Sequence, residues 1–446
     1  MEFRNSGLSD IQLKEKIEKL FKKASNKWPG VFPIDAKISL TPPHLAICVA
    51  SLEGVKLFNS NLDVVDEAFE YLISKSSKGE KGQYFTPRYV IDMCVKMLNP
   101  TMEETMIDTA AGSSGFPVHT IFHVWKQMQI SEKKPVNHLF TAIPKGYSET
   151  EYVKEKVYAI DFDEKAVRVA RTLNLIAGDG HTNVLHLNSL DYARWVTVTR
   201  DEDWVDTYNE GFKRLKKLRQ GEDFSHFNFD VLMANPPFAG EVKEGQILSR
   251  YELGMKNGKT LRSVSRDTLF IERNLNFLKP GGRMAIVLPQ GRFNNNLDKH
   301  IREYITEHCR ILAVVGLHSN TFKPHTGTKT SVLFVQKWDE KLCPKVDDYN
   351  IFFATQKLDG KNNSGVKVYW KKDKSGSTTD PKLALCDKYG HPIVYHDLFA
   401  TIDYNWNEET KKNDSIQLTP DGIAEAFIEF AKKEKLSFFA NAPLIK

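Results

Sequence analysis

The chain has 446 residues, with 62 Lys+Arg against 57 Asp+Glu and a formal net charge of +5. At roughly 100–200 residues per domain this implies several domains, and 41% apolar with 27% charged residues excludes a mainly disordered chain. Five scattered cysteines without a CxxC pair exclude a disulfide framework and a zinc ribbon, and +5 is too mild to announce nucleic acid by itself.

Residues 1–80 read as a small helical N-terminal domain. Ser9 and Gln12 have the spacing of a capping box, and Leu13, Ile17, Leu20, Phe21 and Ala24 recur at helical intervals. A second helix is expected around Asp63–Ile73, and Lys75–Gly82 reads as a linker. From 81 to about 340 the pattern changes to short apolar runs separated by helical stripes. The runs are Met106–Ile107, Val157–Ile160, Val184–Leu187, Phe229–Ala234, Met284–Leu288, Ile311–Val315 and Ser331–Val335. Stripes such as Val118/Ile121/Phe122/Trp125 and Ala166/Ala170/Leu173 lie between them. This alternation predicts an α/β fold with a doubly wound, mostly parallel sheet. The last two runs are joined by His318–Lys329, which has no helical stripe, so they are expected as an antiparallel pair at the sheet edge. Ser131–Glu155 and Tyr192–Asn228 read as excursions from the sheet, the second carrying five basic residues between 213 and 219. Residues 341–446 read as a polar C-terminal extension. Its terminal helix is expected to use Thr419 as cap, Pro420 in the first turn and Ile423/Phe427/Phe430 as an apolar stripe.

Two stretches carry chemistry. In the first, a strand ends at Asp108 and a turn containing Gly112 and Gly115 opens a helix, as at the ligand-binding end of a doubly wound sheet. Gly115-Phe116-Pro117 is not the Gly-Lys-Ser/Thr of a phosphate-binding loop, and G-x-G-x-x-G is absent. Asp161, ending the next strand, lies far beyond the ~20-residue spacing of dinucleotide sites but suits a carboxylate accepting two ribose hydroxyls. A nucleoside cofactor without a pyrophosphate fits better, and S-adenosylmethionine is the foremost candidate. Taken alone, such a turn serves equally as a plain strand-to-helix connection.

In the second, the run Phe229–Ala234 leads directly into Asn235-Pro236-Pro237-Phe238. At ~5% Pro usage such a tetrapeptide is expected by chance in well under ~1% of chains. An exocyclic amine is a poor nucleophile because its lone pair is delocalised into the ring. The Asn235 side-chain oxygen and the Pro236 carbonyl supply two acceptors for its N–H bonds. The prolines stiffen the loop and bring no competing N–H, and Phe238 offers a flat face for an extruded base. No metal centre is expected.

With these motifs the chain resembles the amino-methyltransferases of DNA, specifically the adenine-N6 modification (M) subunits of type I restriction-modification systems. Four stretches carry the resemblance in the family's order: Gly82-Gln-Tyr-Phe-Thr-Pro-Arg88, Asp108 to Phe116, Tyr158-Ala-Ile-Asp161 and Asn235 to Phe238. It extends through Leu278–Pro289 and Thr321–Phe334. It implies a Rossmann-like catalytic domain over 81–340, transferring methyl from S-adenosylmethionine to the amine of a flipped adenine. It also implies that Gln83, Tyr84, Phe85, Thr86, Pro87, Arg88, Asp108, Gly112, Ser113, Ser114, Gly115 and Asp161 form the cofactor site. Asn235, Pro236, Pro237 and Phe238 would surround the target amine. Thr109 stands where relatives carry proline, and Asn188 where many carry an Asp that contacts the cofactor's adenine amine. An Asn oxygen can still accept that bond.

No recognition helix-turn-helix or zinc finger appears, so base choice is expected on another chain. The resemblance supplies the partners: double-stranded DNA, a specificity (S) subunit, a second M copy and a nuclease/translocase (R) subunit, in the cytoplasm and without a membrane. The helices at 10–24 and 421–435 are candidate docking elements, and basic residues in 213–219 and 243–266 are candidate phosphate contacts. The alternatives are an N-methyltransferase of RNA or protein glutamine, and a non-catalytic cofactor-binding assembly subunit.

Overall fold

The computed structural model describes residues 4–5, 7–32, 35–53, 85–136, 139, 146–177, 183–388 and 390–440. The helix expected near 63–73, the linker, and Gln83 and Tyr84 lie outside these residues.

Two N-terminal helices, α1 (Asp10–Lys27) and α2 (Pro42–Leu52), pack on each other. The capping box forms: Gln12 N donates to Ser9 Oγ at 3.4 Å and Ser9 N donates to Gln12 Oε1 at 3.1 Å. Leu13 and Ile17 bury against Leu45 and Val49, so the apolar stripe of α1 is spent mainly inside this pair.

The runs read as strands all become strands of one sheet. They are β1 (Met106–Asp108), β2 (Val157–Asp161), β3 (Val184–His186), β4 (Phe229–Ala234), β5 (Leu278–Pro289), β6 (Cys309–Gly316) and β7 (Thr330–Lys337). An eighth, β8 (Phe352–Thr355), gives the order 8-6-7-5-4-1-2-3. Pairing is parallel from β5 through β4 and β1 to β3, and β7 runs antiparallel between β5 and β6. The antiparallel pair expected from the last two runs is therefore present, and β8 lies outside it, parallel to β6.

Alternation along the strands builds two cores. Val231, Met233, Ala285, Val287, Val332 and Phe334 face one layer, while Leu232, Ala234, Met284, Ile286, Leu333 and Val335 face the other. The first layer holds α3 (Arg88–Leu98), α4 (Gly115–Ser131) and α10 (Ile423–Lys433). The second holds α6 (Glu164–Ala177), α7 (Glu202–Lys217), α8 (Arg266–Phe277) and α9 (Lys299–His308). Helix α5 (Tyr147–Lys156) immediately precedes β2.

The stretch 192–228 is corrected by α7. A parallel sheet whose chain passes from edge strand β3 back to β4 needs a crossover, and α7 supplies it. Its stripe Trp204/Tyr208/Phe212/Leu215 is buried and was legible at helical spacing. The terminal helix is corrected too. It starts at Ile423, where Gly422 N donates to Glu425 Oε2 at 3.0 Å, while the Thr419 hydroxyl accepts from Thr401 N at 2.6 Å. Ile423 N and Ala424 N donate to Asp397 O and Leu398 O, so the chain before the helix does the capping. Phe427 is fully buried in the sheet core, a gain of about 1.5–3 kcal/mol for a side chain of this size. That apolar face is spent internally and is not left for a partner.

Candidate functional site

β1 and β4 are neighbouring parallel strands, and the chain leaves them in opposite directions along the sheet, to β2 and to β5. Such a switch point opens a crevice at the carboxyl ends of the strands. An open cleft lies there, lined by Phe85, Thr86, Asp108, Gly112, Ser113, Gly115 and Asn235, together with Ile91, Ala110, Ala111 and Phe116.

The Gly-rich turn is shaped by its own hydrogen bonds. Asp108 Oδ1 accepts from Ala110 N at 3.0 Å, and Ala111 N donates to Ile160 O at 3.0 Å. Gly112 has φ +52°, a left-handed value that favours glycine, and its N donates to Asp161 Oδ2 at 2.8 Å. The turn and the acid are therefore bonded directly to one another. Ser114 also takes a positive φ of 69°, and its buried Oγ accepts from Asn174 Nδ2 at 2.8 Å. Thr109 Oγ1 donates to Asn274 Oδ1 at 2.6 Å and Thr109 O accepts from Ser189 Oγ at 2.6 Å, which gives this position a settled polar environment.

Phe85 and Thr86 of the upstream motif line the cleft beside the turn. A Cβ on Gly112 would lie 3.7 Å from the Phe85 ring, and one on Gly115 would come 2.5 Å from Ile91 Cδ1 and 2.7 Å from Arg88 Nη1. Gly115 thus lets α3 approach the first turn of α4. Thr86 reaches the other half of the site, where its Oγ1 accepts from Asn235 Nδ2 at 3.0 Å. That bond orients the Asn235 amide, a role the sequence did not disclose for Thr86. Pro87 leads directly into α3, while Pro236 and Pro237 hold the loop after β4.

Both carboxyls are perturbed. Burial pushes Asp108 well above the ordinary carboxylate range, and the neighbouring Asp161 adds to the rise while the Ala110 N–H opposes it. Burial raises Asp161 too, against N–H bonds from Asp163 and Gly112.

Other predicted residues sit differently. The Asn188 oxygen accepts from Leu190 N at 3.0 Å and Asp191 N at 3.4 Å, so it shapes the turn after β3; Asn188, Asp161 and Phe238 all lie outside the residues that line the cleft. Phe238 meets Phe322 edge-on, at 6.1 Å between centroids and 87° between planes. Phe162, directly after Asp161, is 69% exposed. Among the described residues, no group of three or more His, Cys, Asp or Glu is arranged to hold a metal ion, and no helix is long and apolar enough to cross a membrane.

The two basic clusters part company. Arg214 pairs with Glu155 at 3.3 Å and donates to Asn183 Oδ1 at 3.0 Å, residues that precede β2 and β3. Asn228 N, just before β4, donates to Leu218 O at 2.8 Å. The 213–219 cluster therefore lies at the amino ends of the strands, opposite the cleft, and is not a rim around it. The 239–267 segment instead springs from the carboxyl end of β4.

The family model of the N-6 DNA methylases matches residues 60–373. The EcoEI type I restriction enzyme methylase subunit of Escherichia coli is 25% identical over 263 residues, which cover 58% of this chain and 44% of that protein. The StySPI methylase subunit of Salmonella potsdam is 24% identical over 304 residues, covering 66% and 49%. The chain thus spans about half the length of these curated relatives. A solved type I restriction-modification methyltransferase subunit from Streptococcus thermophilus aligns at 18% identity and TM-score 0.46, over 76% of this chain and 66% of that one.

Proposed function

The chain belongs to the N-6 DNA methylase family, and from that premise we propose that it is the modification subunit of a type I restriction-modification system, methylating adenine N6 in DNA. One observation carries the reading: a single cleft is lined jointly by the upstream motif, the Gly-rich turn and Asn235. The cofactor half and the amine half of a methyl transfer are then contiguous.

The residues fit S-adenosylmethionine. Asp161 would accept the ribose hydroxyls, the exposed Phe162 ring would stack on the cofactor's adenine, and Phe85 with Gly112 would border the methionine part. When bound, the cofactor supplies a methyl group on a positively charged sulfur that leaves as a neutral thioether. Asn235 Oδ1 and Pro236 O accept the two N–H bonds of the target amine, which draws its lone pair out of conjugation. Pro236 and Pro237 keep that loop from relaxing. Phe238, backed by Phe322, gives the extruded base a face.

The partners proposed with this reading are duplex DNA, a specificity subunit, a second copy of this chain and a nuclease/translocase subunit. The test is methyl transfer to duplex DNA by the chain with its specificity partner, the product being identified by mass spectrometry. N6-methyladenine is expected. Methyl on cytosine, on RNA or on protein glutamine alone would overturn the reading, as would binding of cofactor without any transfer.

Asp161→Ala is expected to weaken cofactor affinity by roughly 10–100-fold in calorimetry, since bonds to a charged acceptor are worth about 1.5–3 kcal/mol. Asp161 accepts both hydroxyls fully only as the carboxylate, and burial raises its pKa. Wild-type affinity should therefore decline as pH falls through that raised value, and the decline should vanish in Asp161→Ala. An unchanged affinity would remove Asp161 from the cofactor site.

A further inference from the structure

The 239–267 segment is a built element. It leaves and returns through a two-stranded stem in which Val242 pairs with Val264 and Glu241 with Ser265, rooted where Arg266 N donates to Gly240 O at 3.1 Å. Val242, Leu248, Tyr251 and Val264 of the insert pack with Leu269 and Phe270 of α8 and with Leu190 in a small core. Tyr251 Oη donates to Leu190 O at 2.8 Å, and Glu272 accepts from Glu252 N and Leu253 N at 2.8 Å each. Its root lies two residues beyond Phe238, at the carboxyl end of β4, and the bonds to Glu272 lay the insert along α8.

Of its charges, Arg250 Nη1 donates to Gln246 O at 2.8 Å within the insert. Lys243, Arg250, Lys256, Lys259, Arg262 and Arg266 are all exposed. None forms an ion pair with a described carboxylate, whereas Lys213, Arg214 and Arg219 of the opposite cluster pair with Glu210, Glu155 and Glu222. The tip is a tight hairpin of Met255–Lys256 and Lys259–Thr260, turned by Asn257 at φ 51° and Gly258 at φ 74°. Lys256 and Lys259 are direct cross-strand partners. Like charges so placed repel and destabilise a hairpin, a cost relieved when an anion sits between them. A folding role would be better served by a Lys–Glu pair.

We propose that this hairpin, with Arg262 beside it, grips the phosphate backbone of the bound duplex. The proposal rests on the reading of the chain as a DNA methyltransferase. Phosphate contacts set register without reading sequence, which fits a chain that leaves base choice to a partner.

The test is binding of a short fluorescent duplex to the full chain in its active complex, across roughly 50–200 mM salt. Each phosphate contact contributes about 0.9 to the slope of log affinity against log salt. Lys256→Gln/Lys259→Gln should flatten the slope by about 2 and weaken binding on the order of tenfold, with kcat at saturating DNA unchanged. Lys213→Gln/Lys217→Gln, at the far end of the sheet, should leave the slope as it is. Arg262→Gln, outside the hairpin, should flatten it by about 1 and carries the test if the hairpin variant misfolds. An unchanged slope in both hairpin and Arg262 variants overturns the proposal. So does an equal change in the 213/217 control, which would indicate a diffuse field. Loss of subunit assembly with the slope intact would assign the surface to an acidic protein face and also overturn it. Absence of methyl transfer by the wild-type complex counts against the enzymatic reading alone, because the slope is read from binding.

Discussion

Asn235→Ala is expected to lower kcat for methyl transfer on the order of 10²–10³-fold or more while cofactor binding stays nearly unchanged. The scale is that of removing one preorganised hydrogen-bonding group from a transition-state site. Asn235 is committed before substrate arrives. Its Nδ2 donates to Thr86 Oγ1, so the amide is held with Oδ1 as the acceptor end. The amine gains nucleophilic character only as its N–H bonds are drawn towards Oδ1 and the Pro236 carbonyl, an interaction that strengthens as the lone pair leaves the ring. Loss of such an interaction appears in kcat rather than in cofactor affinity. Single-turnover transfer and calorimetry on the same preparation check both halves. Retained turnover would remove Asn235 from the chemistry, and a parallel loss of cofactor binding would recast it as a cofactor residue.

The second large effect is on stability. Arg273 of α8 is fully buried, and its hydrogen bonds among the described residues run to backbone carbonyls. Its Nε donates to Ser189 O at 2.8 Å, Nη2 to Phe224 O at 2.9 Å and Nη1 to Ser225 O at 2.5 Å. The guanidinium also lies 4.3 Å from the Phe277 ring centroid and 4.6 Å from that of Tyr192. Burial lowers its pKa to about 10, which still leaves it charged at neutral pH. One planar fork thus ties the loop after β3 to the loop before β4. Arg273→Met preserves much of the volume but strands three carbonyls, each costing about 1–3 kcal/mol, partly offset because no charge is desolvated. A net loss of about 2–4 kcal/mol is expected in denaturant unfolding. Arg273→Lys should recover little, because a single ammonium cannot match the fork. Equal stability of wild type and Arg273→Met would show that the carbonyls find other donors.

The local signals were dependable where the physics is local. Alternating apolar runs bounded by turns named β1 to β7, and Ser9 with Gln12 named the start of α1. β8 escaped because it has only four residues, and Phe353 within it is 71% exposed. Its identity as a strand comes from pairing with β6. α7 carries its stripe Trp204, Tyr208, Phe212 and Leu215 among charged residues, so its sequence is that of a surface helix with one buried face. The cap of α10 was misplaced because Asp397 and Leu398 accept its first N–H bonds, and that contact belongs to the fold.

By itself the sequence determined the α/β class, the order of the motifs and the residue types able to hold a nucleoside and activate an amine. Strand periodicity, glycine turns and the stiffness of Asn-Pro-Pro-Phe are properties of neighbouring residues, so they survive without a fold. The tertiary structure alone decided that Thr86 bonds Asn235 across 149 residues of chain, and that Asp161 bonds Gly112. It also decided that Lys213, Arg214 and Arg219 pair with carboxylates towards the amino ends of the strands, while the 243–266 cations form no ion pair among the described residues. Charge balance along a chain is blind to distance in space. The mild +5 therefore became informative only once the sheet showed where each charge sits.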